Sequence, residues 1–194
     1  MKLNNALLRQ TNAYAMQFGA AFGMFWCVGF AFMISGYKIP LLHLLWLLTL
    51  LVTPAVGIIL AKKFQQEVKQ DGMVDFGRAY LYSVMMYLYA TVILAGVAYI
   101  YFRMIDNGAF VGHLLAQLHT DEMEELLKTP AFKQQVDEML AQTGKESLDD
   151  FVGSITPIMI VANIVDMNLI FGLLLSIPTA LMARTKVKPT EGAS

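Results

Sequence analysis

"IMIVANIVDMNLIFGLLL" occupies residues 158–175, and only Asn163, Asp166 and Asn168 interrupt its apolar run. Eighteen helical residues reach about 27 Å, close to the ~30 Å hydrocarbon core of a bilayer. The stretch therefore reads as a transmembrane helix. The rest of the chain agrees with that reading: 57% of its 194 residues are hydrophobic and only 15% are charged. Its mean hydropathy is +0.54. A soluble domain of this length needs more polar surface, so the excess apolar residues are expected to face lipid.

Working outward, three further runs are long enough to span. The expected transmembrane helices cover about 17–35, 41–61, 76–102 and 155–183. Each run is continuous rather than alternating at period two, which argues against a barrel. The expected fold class is all-α: an integral membrane four-helix bundle in a single membrane domain, 1–194. A small helical extracytoplasmic insertion separates helices three and four. The start "MKLNNALLRQTNAYA" is polar for a signal peptide, and no convincing cleavage site follows the first apolar run, so that run is read as a retained helix. The single cysteine, Cys27, permits no internal disulfide and acts mid-span as a small apolar residue.

Basic residues set the expected orientation. Lys2, Arg9, Lys62, Lys63, Lys69, Arg78, Arg184, Lys186 and Lys188 fall on one side of the four spans. Lys38, Arg103, Lys128, Lys133 and Lys145 fall on the other. The positive-inside rule then puts both termini in the cytoplasm of a multi-pass inner-membrane protein. Tyr80 and Tyr82 at one end of the third span, and Tyr99 and Tyr101 at the other, fit aromatic belts at the two interfaces.

Residues 106–154 then form an acidic helical periplasmic loop, in which acids far outnumber the three lysines. "HLLAQLHTDEMEELL" sets Leu114, Leu118, Met123 and Leu126 roughly on one helical face. "PAFKQQVDEMLAQTG" has proline at a helix start, Phe132, Val136, Met139 and Leu140 at helical spacing, and Gly144 as a stop. "SLDDFVGSITP" reads as a short helix capped by Ser147. Together these make a helical cap whose apolar faces either cover the membrane helices or bind a partner.

Lipid tails do not drive apolar helices together, so small residues at spacing four mark the expected seams. They are Gly19, Gly23 and Cys27 in the first span, Gly57 in the second, and Gly172 and Ser176 in the fourth. Pro54 and Pro178 each remove a helix hydrogen bond near a cytoplasmic helix end.

Asp166 is the one carboxylate inside the fourth span: with the membrane centred near Leu169 it lies about three residues from the midplane, where insertion of Asp costs about 2.5–3.5 kcal/mol, and if the helix starts deeper it lies near the outer headgroups. It should face protein or water. Asn163 lies about 60° from it around the helix and Asn168 about 200° away, at 100° per residue. The three are therefore a candidate intramembrane polar site with two separate spots, not one groove. Asn168 is expected to bond across a helix seam, with Tyr87, Tyr89 and Thr91 available to satisfy Asp166. No Lys or Arg lies nearby as a counter-ion, which weakens a proton-relay reading.

No glycine-rich phosphate loop, nucleophile motif or paired catalytic acids stand out, so no catalytic or cofactor-binding residues are expected. His113 and His119 are six apart, a spacing that does not set both on one helix face, and no metal site is expected. Nucleic-acid binding is not indicated. The expected partners are the lipid bilayer, with a homo-oligomer or an envelope protein met through the acidic loop.

Four stretches carry a resemblance: "MVDFGRAY" leading into the third span, "YIYFRMIDNGAF" ending it, "KQQVDEMLAQTG" in the loop, and "ITPIMI" opening the fourth span. With them, nearly the whole chain resembles the bacterial four-span membrane family called domain of unknown function 4199. Its F-G-x-A element matches Phe76, Gly77 and Ala79, and Asp166 lies outside these motifs. The resemblance implies a four-span fold and transfers no catalytic residue. The expected function is that of a non-enzymatic accessory or interaction protein of the bacterial envelope. The alternative is a small oligomeric channel or transporter using the polar residues of the fourth helix.

Overall fold

The computed structural model describes residues 5–68 and 73–185. The orientation residues Lys2, Lys69, Lys186 and Lys188 lie outside them. Every regular element among the described residues is helical. In chain order they are α1 (Asn5–Gly36), α2 (Leu41–Glu67), α3 (Phe76–Ile100), a π-helical continuation (Tyr101–Ile105), α4 (Ala109–Leu118), α5 (Asp121–Leu127), α6 (Pro130–Thr143), α7 (Leu148–Gly153) and α8 (Pro157–Ala183). Four helices are long and apolar enough to cross a membrane: α1, α2, α3 with its π turn, and α8. The chain forms two compact units, residues 1–97 with 164–194, and residues 98–163.

In the first unit, α1 begins well before the apolar run that announced it. Its polar opening turns are helical because Gln10, Thr11 and Asn12 find partners on α3. The Arg78 Nη2 donates to Gln10 Oε1 at 2.7 Å and its Nε to Thr11 Oγ1 at 3.2 Å. The Tyr89 hydroxyl donates to Asn12 Oδ1 at 2.7 Å. The core is aromatic as well as small: Phe64 of α2 stacks on Tyr82 of α3 with ring centroids 4.0 Å apart. Phe22 of α1 meets the edge of Tyr87 at 5.3 Å. Tyr82 is thus fully buried, and does not sit in an interfacial belt. Two backbone-level bonds tie the chain before α3 to the end of α8, from Val74 N to Thr185 Oγ1 and from Thr185 N to Val74 O. Pro54 and Pro178 both lie inside their helices.

Glycine makes the closest approaches. A Cβ added at Gly19 would lie 2.7 Å from Tyr89 Cβ and 2.8 Å from Met86 O. At Gly23 the nearest atom is Ile93 Cβ at 3.0 Å, and at Gly172 it is Tyr87 Cβ at 3.0 Å. At Gly57 the added atom would meet the Tyr87 hydroxyl. Ser176 is buried and donates to Gly172 O at 2.6 Å. Cys27 is half-buried, while α1 turns Gly29 and Gly36, off the spacing-four stripe, toward Thr49 and His43 of α2.

In the second unit, Asn107 and Gly108 adopt left-handed φ values of 48° and 82° and reverse the chain after the π turn. Asn and Gly tolerate that region best. The Asp106 carboxylate then accepts from the Phe110 amide at 3.1 Å, capping α4. The expected helix through Leu114 and Leu126 is two helices, α4 and α5. Thr120 is extended between them and begins the second, its carbonyl accepting from Glu124 N. The segment between the third and fourth membrane-length helices therefore has four helices rather than three. Pro130 starts α6, Gly144 ends it at φ 65°, and Ser147 Oγ accepts from Asp150 N at 3.1 Å to cap α7.

Candidate functional site

Two polar regions compete for attention, one between helices of the first unit and one along α8, of which Asp166 and Asn168 belong to the first unit and Asn163 to the second. The internal one is centred on α3. Its first turn is capped by Asp75, whose Oδ1 accepts from Arg78 N at 2.9 Å. That turn aims the Arg78 side chain inward, where it is 1% exposed and stacks over Phe64, 5.6 Å from the ring centroid. An ionised group that deep is tolerated only with hydrogen-bonding partners, which Gln10 and Thr11 supply. Further along α3, Tyr87 shares a 3.5 Å hydrogen bond with Thr179 of α8. Ser83 and Thr91 bond to carbonyls of their own helix. Among the described residues, no buried side-chain nitrogen or oxygen lacks a partner. Such a network holds helices in register.

The sequence placed the candidate site elsewhere, on α8. Asn163 is exposed, and so is Asp166 three residues later. Asn168 is half-buried and donates to Ile164 O of its own helix at 2.7 Å, not across a seam. Tyr87, Tyr89 and Thr91 do not attend Asp166, because their hydroxyls are directed to Thr179, Asn12 and Tyr87 O. Asp166 therefore faces outward from the helices of its unit, among Leu169, Ile170 and Leu173, all exposed.

Arg78 was legible as a cation at a helix start but not as the centre of a buried cluster. The available signal was the run Gln10, Thr11, Asn12 in "LLRQTNAYA", three successive polar residues in the early turns of a largely apolar helix. In the second unit, His113 lies beside Gln117, and His119 Nε2 approaches Asp149 Oδ1 at 3.3 Å across α4 and α7. An open groove between α5, α6 and α7 has Leu127, Val136 and Leu148 as its floor, with Lys128, Lys133 and Glu124 around it.

The profile of the family described as "Protein of unknown function (DUF4199)" matches residues 17–185. No curated protein and no solved structure matches the chain.

Proposed function

We propose, from the premise that the chain belongs to the DUF4199 family, that it is a non-enzymatic accessory or interaction protein of the bacterial inner membrane. Both termini are cytoplasmic in this reading, and residues 106–154 form a periplasmic cap. The observation that carries it is the character of that cap. Helices α4, α5 and α6 contain no fully buried residue, their acids are exposed, and their apolar side chains are mostly half-covered. A surface of that kind fits recognition better than catalysis, which needs converging groups in a sheltered site. The described surface cations of the opposite side, Arg9, Lys62, Lys63 and Arg184, fit anionic headgroups; Arg78 is withdrawn from that surface.

One observation favours the transport alternative: Asp166 is exposed on a membrane-length helix, where an oligomer would turn it toward a channel. Vesicles carrying a pH-sensitive dye separate the two readings. Protein-free and protein-containing vesicles are expected to show equal proton flux. A wild-type flux that Asp166→Asn abolishes in a folded protein would overturn the accessory reading. Orientation is tested in a Cys27→Ala background with an impermeant thiol reagent. Lys133→Cys is expected to label from outside the cell, and Lys63→Cys is not.

A further inference from the structure

We propose that α8 pairs with α8 of a second copy of this chain along the face that carries Asp166. That face has a regular grammar. Asp166, Ile170, Leu173 and Ile177 follow one another at spacings of four, three and four. This is the alternation with which two helices crossing at about +20° interlock side chains over a long seam. All four residues are exposed, with Ile170 at 56%, Leu173 at 49% and Ile177 at 46%. The same spacing runs back in sequence from Asp166 to Asn163. Of the four membrane-length helices, α8 is also the least covered: 11% of its most apolar window is buried, against 28%, 17% and 39% for the others.

Lipid alone does not suit this face. A carboxyl group is among the costliest to leave against hydrocarbon, and residues of its kind turn toward protein or water. Three other polar groups of α8 are engaged, Asn168 with Ile164 O, Ser176 with Gly172 O, and Thr179 with Tyr87, while Asn163 is exposed one turn before Asp166. The partner must bring its own polar group to the depth of Asp166. A second copy does so by symmetry, because each residue on a two-fold seam meets its counterpart at the same depth. The chemistry is self-complementary. A carboxyl in its neutral form has one donor and one acceptor, so two of them bond to each other without a counter-ion. One polar position within an apolar seam also fixes register and partner orientation. The pairing does not depend on what the cap binds, and its test reads only the membrane helices.

The test uses the full chain with Cys27→Ala, reconstituted in bilayer vesicles at dilute protein. Single cysteines are placed at Ile170 and Leu173, about 20–40° from Asp166 around the helix, and at Met167 and Leu174, about 80–100° away. Oxidation is expected to join copies through the first pair and not through the second. Asp166→Asn is expected to keep the dimer, since two carboxamides also pair donor to acceptor. Asp166→Leu is expected to weaken it about three- to twentyfold in dissociation constant, the range of one interhelical hydrogen bond in a membrane. Asp166 is exposed in the single chain, so the fold should survive both changes; helicity and thermal midpoint check this. Cross-linking that is equal at all four positions, or stronger at Met167 and Leu174, would overturn the proposal. So would an Asp166→Leu dimer as tight as wild type. Loss of association in Asp166→Asn would overturn the donor–acceptor pairing of the two side chains.

Discussion

The two units bury opposite kinds of residue. In the first, the fully buried positions include Gly, Ala, Ser and Thr together with Arg78, Tyr82 and Tyr87. Its exposed positions are Leu, Ile, Val and Met along every long helix, such as Leu51 at 78% and Met24 at 62%. Across α4 to α7 the order is the familiar one: acids lie outside, apolar residues are mostly half-buried, and Leu126 is the single large hydrophobic among the described residues there counted as exposed. The contrast identifies two solvents. Water rewards burial of apolar surface, whereas lipid is as apolar as leucine and leaves close packing and hydrogen bonding to hold helices together. That is why the first unit places its polar atoms between helices and its largest aliphatic side chains outside.

The contrast breaks most directly at a surface leucine. Leu51 lies in the middle of α2, facing outward. Leu51→Arg is expected to cost about 3 kcal/mol of apparent insertion free energy, read in a membrane-insertion assay. Leu126→Arg in α5 is expected to change stability by about 0.5 kcal/mol or less, as for a water-facing surface site. Normal insertion and folding of Leu51→Arg would show that the outer surface of the first unit does not face lipid.

The next effect is steric. Gly19→Leu is expected to lose about 1–3 kcal/mol on unfolding in detergent, because overpacking forces neighbours off their places. The obstacle includes the Met86 carbonyl oxygen, a backbone atom held in α3. Gly23→Leu should lose less, since its obstacles stand farther off, Ile93 Cβ at 3.0 Å and Ala90 O at 3.2 Å. Met24→Leu, on the outward side of the same helix, should be neutral. Equal tolerance at all three positions would remove close packing as the force that holds α1 to α3.

Much of this was legible in the chain itself, because membrane spans are written in long apolar runs and small-residue spacing. Gly19, Gly23, Gly57 and Gly172 announced close contacts through spacing alone. Partner assignment was not legible. Periodicity gives the face a residue occupies on its own helix, but not the rotation of that helix against its neighbours. Hence Asn168 was matched with another helix although its own Ile164 carbonyl lies one turn back. Tyr82 was set in an interfacial belt although Phe64 receives it in the core. The break at His119–Thr120 was missed because the apolar spacing continues across it and no proline or glycine marks it. Gln10, Thr11 and Asn12 fall before the expected first span, and their polarity answers Arg78 and Tyr89.

A smaller effect separates the cap from the membrane helices. Ser147→Ala removes the acceptor for Asp150 N and is expected to destabilise α7 by about 1 kcal/mol, the usual worth of an N-cap. Hydrogen exchange should quicken at the α7 amides and stay unchanged in α3. Matching acceleration in α3 would show that the two units unfold together.

The smallest effect tests whether hydrogen bonds in the first unit have the modest worth that lipid allows. The Tyr89–Asn12 bond is short, at 2.7 Å, and joins α3 to α1. In vacuum such a bond is strong, but the unfolded helix in a membrane also finds partners for both groups, and measured interhelical bonds average about 0.6 kcal/mol. Tyr89→Phe keeps the ring and removes only the hydroxyl, so its loss is expected near that value. A double-mutant cycle with Asn12→Ala isolates the pair, because each single change removes the bond. The expected coupling is about 0.6 kcal/mol. A coupling above about 2 kcal/mol would exceed the largest such values. It would mean that polar bonds, rather than the glycine contacts at Gly19 and Gly23, dominate the attachment of α1 to α3. A coupling near zero, with Gly19→Leu still costly, would assign that attachment to packing alone.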